Sequence, residues 1–203
     1  MMYLFEAIRC LPQLKSLIVV NAHEAMLPAL VENLPNNLRQ FKLHMVQGDI
    51  PSICLDALAS HPNLRKIDLE PEQSIDIGRL VSSVSIQCIK IRGVIFSMDE
   101  THMEGLADAL SCNPGSSLKS LDMEPSMEFS SWKHLADALR FHTRLESLEV
   151  SVVTNTFDEA DAAAIVLAEL LQVNTTLTHI VNKTNDTLNV AEETVNGPVL
   201  DAL

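Results

Sequence analysis

A six-residue pattern, L-x-x-L-x-L with other apolar residues allowed at the leucine positions, recurs seven times along the chain. The copies begin at intervals of 22 to 32 residues, and two of them follow the same pentapeptide LADAL, at 106–110 and 135–139. Self-similarity at this period predicts stacked supersecondary units. The three positions of each copy are Leu14-Leu17-Val19, Leu38-Phe41-Leu43, Leu64-Ile67-Leu69, Ile86-Ile89-Ile91, Leu118-Leu121-Met123, Leu145-Leu148-Val150 and Leu177-Ile180-Asn182.

Each copy is preceded by an apolar segment at helical spacing, such as LPALVENLPNNL or LADALRFHTRL. Leu, Ala and Glu dominate these segments and favour helix. Pro, Asn, Gly and Thr then end the helix before the next strand. The predicted unit is therefore helix, tight turn, short strand and loop. Because one such unit cannot bury its own apolar faces, stacking is expected to give a parallel sheet with helices behind it.

The seven units resemble a leucine-rich repeat protein of the long-repeat, ribonuclease-inhibitor-like type, over about residues 2–183. The resemblance implies an α/β solenoid, a horseshoe of about seven repeats with a concave parallel sheet and convex helices. We expect the solenoid to cover residues 1–183, and 184–203 to be a C-terminal cap or a truncated repeat. The family's Asn or Cys ladder is nearly absent, because its positions read Ala22, Val46, Glu72, Val94, Ser126, Val153 and Asn185.

Composition excludes several classes of protein. Hydrophobic residues make up 47% of the chain and charged residues 20%, as in a packed protein. A net charge of −13 argues against nucleic-acid binding, and no apolar run is long enough to span a membrane. The start MMYLFEAIRC has no basic leader, so we expect no signal peptide.

The cysteines favour free thiols in a reducing, cytoplasmic compartment, because the four lie far apart and form no C-x-x-C pair. Three N-x-T sequons point the other way, toward glycosylation. They begin at Asn174, Asn182 and Asn185.

No catalytic, cofactor-binding or metal-ligating constellation is predicted, and we expect a protein that is not an enzyme. Asp158-Glu-Ala-Asp161 matches a helicase tetrapeptide, but no phosphate loop precedes it, and acidic residues favour a helix N-terminus. His23-Glu24 lacks the second histidine of a zinc protease. We expect His61 and His142 to be structural or solvated, and Trp132 to pack in the core.

The function is expected on the outward positions of the strands, which alternate with the buried ones. In units one to four these positions carry seven basic and two acidic residues, and in units five to seven two basic and four acidic ones. This polarity predicts a protein or peptide partner whose acidic groups meet the N-terminal half of the concave face. The predicted partner-binding residues are Arg39, Lys42, His44, Arg65, Lys66, Lys90, Arg92, Lys119, Glu146 and Glu149.

Two alternatives to a non-enzymatic interaction module stay open at this point. Some members of the long-repeat family are Ran GTPase-activating proteins, so the resemblance also allows a GTPase regulator, by analogy of fold alone. The second alternative is a recognition fragment of a larger receptor whose neighbouring domains hold the activity. The sequence predicts no particular oligomeric state.

Overall fold

The computed structural model describes residues 7–93 and 99–182 and the backbone of 195–196. It is an α/β structure with one sheet, in which seven parallel strands alternate with helices in a solenoid-like order. The strands are β1 Ser16–Val20, β2 Gln40–Val46, β3 Lys66–Pro71, β4 Cys88–Ile91, β5 Ser120–Glu128, β6 Ser147–Val153 and β7 His179–Asn182. The helices are α1 Leu27–Glu32, α2 Ser52–Ser60, α3 Gly78–Val81, α4 Glu100–Cys112, α5 Phe129–Leu139 and α6 Phe157–Val173.

The strands pair in sequence order, and equivalent positions of the repeat lie side by side. The middle apolar position forms one continuous row across the sheet, which confirms the register implied by the sequence pattern. Six of its seven members are buried, and Leu17, on the edge strand, is half-buried. The row consists of Leu17, Phe41, Ile67, Ile89, Leu121, Leu148 and Ile180.

The helices pack against the same side of the sheet, since buried strand and helix residues form a single apolar cluster. The two LADAL segments lie in α4 and α5, where Leu106, Leu110, Leu135 and Leu139 are fully buried. The main helix–helix contacts among the described residues join helices that are neighbours in sequence, as stacking of units requires. The contact of α3 with α4 is close, because a Cβ on Gly78 would lie 2.6 Å from the carbonyl oxygen of Gly105.

The loops after the strands depart from the regular pattern. Strand β5 is longer than predicted and runs to Glu128, because Met127 continues the inward alternation and is fully buried. Its pairing with β6 shifts after Asp122 and resumes at Ser126. Strand β2 contains a bulge at Met45, whose φ of 54° lies in the left-handed region. Unit four has a short helix of four residues.

A ladder of side chains in the helix-to-strand turns links every unit to the one before it. We call it the turn ladder. Each member lies within 3.2 Å of a backbone carbonyl oxygen in the preceding turn and donates a hydrogen bond to it. These bonds tie each unit to its neighbour in the stack. The members are Asn37, His61, Ser85, Ser117, Thr143 and Asn174.

Two predictions fall largely outside the described residues. The segment 184–203 is described only at β8, Val195–Asn196, whose backbone pairs antiparallel with β7. Val94 and Asn185, two of the seven positions compared with the Asn or Cys ladder of leucine-rich repeats, also lie outside the described residues. Over the described part of the chain, no helix combines the length and apolar character that crossing a bilayer requires.

Candidate functional site

The sheet has one face that no helix covers within the described residues, and we call it the open face. Its central row alternates with the buried positions and runs across all seven parallel strands. Read in strand order, the signs of charge alternate from β2 to β5, with an apolar residue at each end. The row consists of Ile18, Lys42, Asp68, Lys90, Asp122, Glu149 and Val181.

Asp68 is the most buried charged group of this face, with a side chain that is 1% exposed. Arg92 donates from Nε to Oδ1 at 3.0 Å and from Nη2 to Oδ2 at 3.3 Å, so the pair is bidentate. Lys42 Nζ lies 3.7 Å from Oδ2, and His44 Nε2 lies 3.6 Å from Oδ1. One carboxylate therefore holds side chains from both neighbouring strands, and bidentate geometry fixes their directions.

A second ion pair joins Lys90 on β4 to Asp122 on β5. The ammonium group of Lys90 also lies 3.5 Å from Glu124 Oε1. Burial by itself would lower the pKa of Lys90, but the hydrogen bond and charge of Asp122, with the charge of Glu124, raise it. Lys90 is therefore charged at neutral pH and is held against β5.

These pairs change the expected picture of a basic half and an acidic half. Three of the predicted cations, Lys42, Lys90 and Arg92, already contact carboxylates on adjacent strands. Cross-strand pairs of opposite charge stabilise a sheet and leave less charge for a partner. On β5 and β6, Asp122 lies beside Glu149, so the negative character of that end persists.

The remaining predicted residues lie along the edge where the strands begin. Lys119 Nζ lies 2.7 Å from Glu146 Oε1, and both side chains are about half exposed. Arg65 donates from Nη1 to the carbonyl oxygen of Ser85 at 3.1 Å. Arg39 and Lys66 are exposed, and no carboxylate among the described residues lies within 4.0 Å of either. The structure thus brings the predicted residues onto one face but separates paired from unpaired cations.

A polar cluster that the sequence did not indicate lies at the opposite ends of the strands. Ser74, Asp99 and His102 line a surface cleft of about 440 Å³. Ser74 Oγ lies 3.2 Å and Asp99 Oδ2 2.5 Å from the same atom, Nδ1 of His102. A catalytic triad needs serine and carboxylate on different ring nitrogens, so this arrangement cannot relay a proton.

Asp99 has a structural role at this cleft. It is the N-cap of α4 and accepts a hydrogen bond from the backbone N–H of His102 at 2.9 Å. Burial would raise the pKa of Asp99, but the hydrogen bonds from the backbone and ring of His102 lower it. The cluster therefore stabilises the start of a helix. No group of three or more His, Cys, Asp or Glu side chains in the described ranges could hold a metal ion.

Other motifs take structural places. Trp132 is buried and its Nε1 lies 3.4 Å from the carbonyl oxygen of Ala163, as expected of a core residue. Asp158 and Glu159 lie in the first turn of α6, after the N-cap Thr156. The His23 side chain accepts a hydrogen bond from the backbone of Ala25.

The sequon at Asn174 is blocked by the fold. The residue is 4% exposed, and its side-chain amide donates from Nδ2 to the carbonyl oxygens of Leu139 and His142, at 2.6 and 3.2 Å. Cys10, Cys54, Cys88 and Cys112 are all free thiols.

Comparison of the sequence with models of known protein families and with curated proteins finds no match.

Proposed function

We propose that the chain is a leucine-rich repeat protein of the ribonuclease-inhibitor-like type that acts as a non-enzymatic interaction module. Its open face would be the concave surface of a horseshoe and would bind a protein or peptide. The four free cysteines support a place in a reducing compartment, the cytoplasm. The turn ladder supports the repeat assignment, because in every unit the residue that bonds to the preceding unit lies in the same helix-to-strand turn.

One observation carries the proposal: the open face carries a continuous row of charged side chains, and ion pairs hold three of its cations, Lys42, Lys90 and Arg92, before any partner arrives. Ion pairs that hold Lys42, Lys90 and Arg92 reduce the rotamer entropy that binding would cost. Fixed charges of alternating sign favour partners with a matching pattern and disfavour others. A surface of this kind is suited to specific recognition.

The cations that remain available to a partner are a subset of those predicted from the sequence. Arg39 and Lys66 are exposed without a carboxylate neighbour among the described residues, whereas Lys42, Lys90 and Arg92 already have one. We therefore propose that acidic groups of the partner meet Arg39 and Lys66 first, in the N-terminal half of the face.

The test is capture of partners from cell lysate by the tagged protein, quantified by mass spectrometry. We expect Arg39→Glu combined with Lys66→Glu to abolish capture of the specific partner. A matched control combines Lys133→Glu with Arg144→Glu, which changes the net charge equally at two exposed positions outside the outward positions of the strands. Unchanged capture by the first variant, or equal loss with both, would contradict the proposal.

A further inference from the structure

The N-terminal corner of the open face combines two features that the rest of the face does not. The first is apolar. Ile18 and Val20 are successive outward residues of β1 and are 55% and 54% exposed. Lys42 and His44 lie beside them in register and direct their polar ends at Asp68, so their carbon atoms extend the apolar surface.

The second feature of the corner is positive charge. Lys15, Arg39 and Lys66 are exposed at the start of β1, β2 and β3, and no carboxylate of a described residue lies within 4.0 Å of them. The backbone of Arg39 bonds to Lys15, and Gln40 pairs with Lys66, so the three cations lie on successive strands. With strands about 4.8 Å apart, they cover roughly 10 Å. They form this positive corner on a chain of net charge −13.

We propose that this corner binds an extended acidic segment of a partner protein that also carries a large apolar residue. The inference rests on the proposed function, because it names the partner of the same face. The apolar side chain covers Ile18 and Val20, and carboxylates a few residues away meet Arg39 and Lys66. An extended chain advances about 3.3 Å per residue, so roughly four residues cross from β1 to β3.

Charge complementarity selects this partner over two others. A basic segment would meet unpaired cations at the corner, and like charges in contact disfavour binding. A long polyanion such as nucleic acid would extend from the corner toward the outward positions of units five to seven, where acidic residues outnumber basic ones by four to two and the net charge is negative. A short acidic segment uses the positive corner without reaching the negative end.

The experiment is selection of random linear peptides displayed on phage, followed by affinity measurement for the enriched peptides by fluorescence anisotropy. We expect enriched peptides to combine one large apolar residue with two or more Asp or Glu within about four residues. Ile18→Ser with Val20→Ser should weaken the binding of these peptides at least about tenfold. Apolar side chains that become buried at the centre of a binding site contribute most of the affinity.

The charged half of the corner has its own variant. Arg39→Gln with Lys66→Gln should weaken binding about tenfold at roughly 0.1 M salt and much less at about 1 M, where screening is complete within a few ångströms. Matched controls are Ile165→Ser on α6, where Ile165 is 59% exposed, and Lys133→Gln with Arg144→Gln. These controls should leave the affinity unchanged, and circular dichroism should show all variants folded.

The possible failures are distinguishable. Enrichment of basic or purely apolar peptides, or affinities that the corner variants leave unchanged, would overturn the inference and leave the interaction module standing. Absence of any enriched peptide while protein capture still depends on Arg39 and Lys66 would also overturn it, because the partner would then not be a linear segment. Absence of both would overturn the inference and the proposed function together.

Discussion

The ion pair between Asp68 and Arg92 should show an asymmetric response to mutation. The side chain of Asp68 is 1% exposed, whereas that of Arg92 is 38% exposed. Arg92→Met leaves a buried charge with only the longer contacts to Lys42 and His44, at 3.7 and 3.6 Å. Asp68→Asn instead leaves a cation that can reach water. The first variant should therefore cost more than the second.

The magnitudes follow from this difference in burial. Removing one partner of a buried pair typically costs about 3–5 kcal/mol. Because Lys42 still faces Asp68, we expect Arg92→Met to cost roughly 2–4 kcal/mol. For Asp68→Asn we expect about 1 kcal/mol, since Asn keeps the shape and a hydrogen-bonding oxygen. Lys119→Met is the matched control: its 2.7 Å bond to Glu146 joins exposed groups and should contribute less than about 1 kcal/mol.

The assay is urea denaturation followed by circular dichroism for both single variants, the double variant and the control. The double variant should be less destabilised than the sum of the singles. Once a neutral amide replaces Asp68, the loss of Arg92 no longer leaves a buried charge unpaired. Equal costs for the two singles, or simple additivity, would refute the view that the burial of Asp68 determines the strength of this network.

Three further predictions concern the repeat architecture. His142→Asn should change little at neutral pH, because Asn174 fills the equivalent turn. Burial lowers the pKa of His142 from its ordinary 6.5, so its contribution is present above that pH and falls as the pH drops below it. We measure the free energy of unfolding from pH 7 to pH 5. Its decrease with falling pH should be smaller in the variant than in the unmodified protein, by up to about 1.4 kcal/mol per pH unit. Gly78→Ala should lower the thermal midpoint by several degrees, because its Cβ would lie 2.6 Å from a backbone oxygen, whereas Gly105→Ala, with 3.8 Å of clearance, should not; equal midpoints would contradict this close packing. In folded protein secreted from cells, peptide mapping should find no glycan on Asn174, because a glycan on Nδ2 would prevent the bonds to the carbonyl oxygens of Leu139 and His142. A glycan on Asn174 of folded protein would contradict this turn.

The inward half of the repeat could be predicted from the sequence because it is periodic. One apolar position per unit, such as Phe41, Ile67 and Ile89, sets the register for the whole sheet, and a slip of one residue would turn every such side chain to water. The helices followed from Leu and Ala spacing and from the turn residues that end them. The ends of the strands were predicted less accurately, since β5 continues past Met123, the last residue of the six-residue pattern, and includes Met127.

The open face was predicted by position but not by its pairing. The net charge of each half of the face does not reveal that charges alternate in sign from strand to strand. The alternating residues are Lys42, Asp68, Lys90 and Asp122. That signal was present once the repeats were aligned, because register places equivalent residues side by side. The burial of Asp68 depends on side chains that cover it from two strands, which a sequence does not specify.

The turn ladder had no single signature in the sequence. Asn, His, Ser and Thr serve in different units, and each is an ordinary turn residue. Their common role is a hydrogen bond to the preceding turn, which becomes visible only when successive units are stacked. The same role explains why His61 is buried. His142 is buried as well and bonds through Nε2 to the hydroxyl of Ser116 in the preceding turn. Burial lowers the pKa of both histidines.

The most direct test of the proposed binding face is lysine footprinting of the protein with and without its captured partner. Acetylation rates of individual lysines, read by mass spectrometry, report which surface the partner covers. We expect strong protection of Lys15 and Lys66 at the corner of the open face and unchanged labelling of Lys133 on α5. Protection of Lys133 with unchanged labelling of Lys15 and Lys66 would place the partner on the helical side and contradict the proposal.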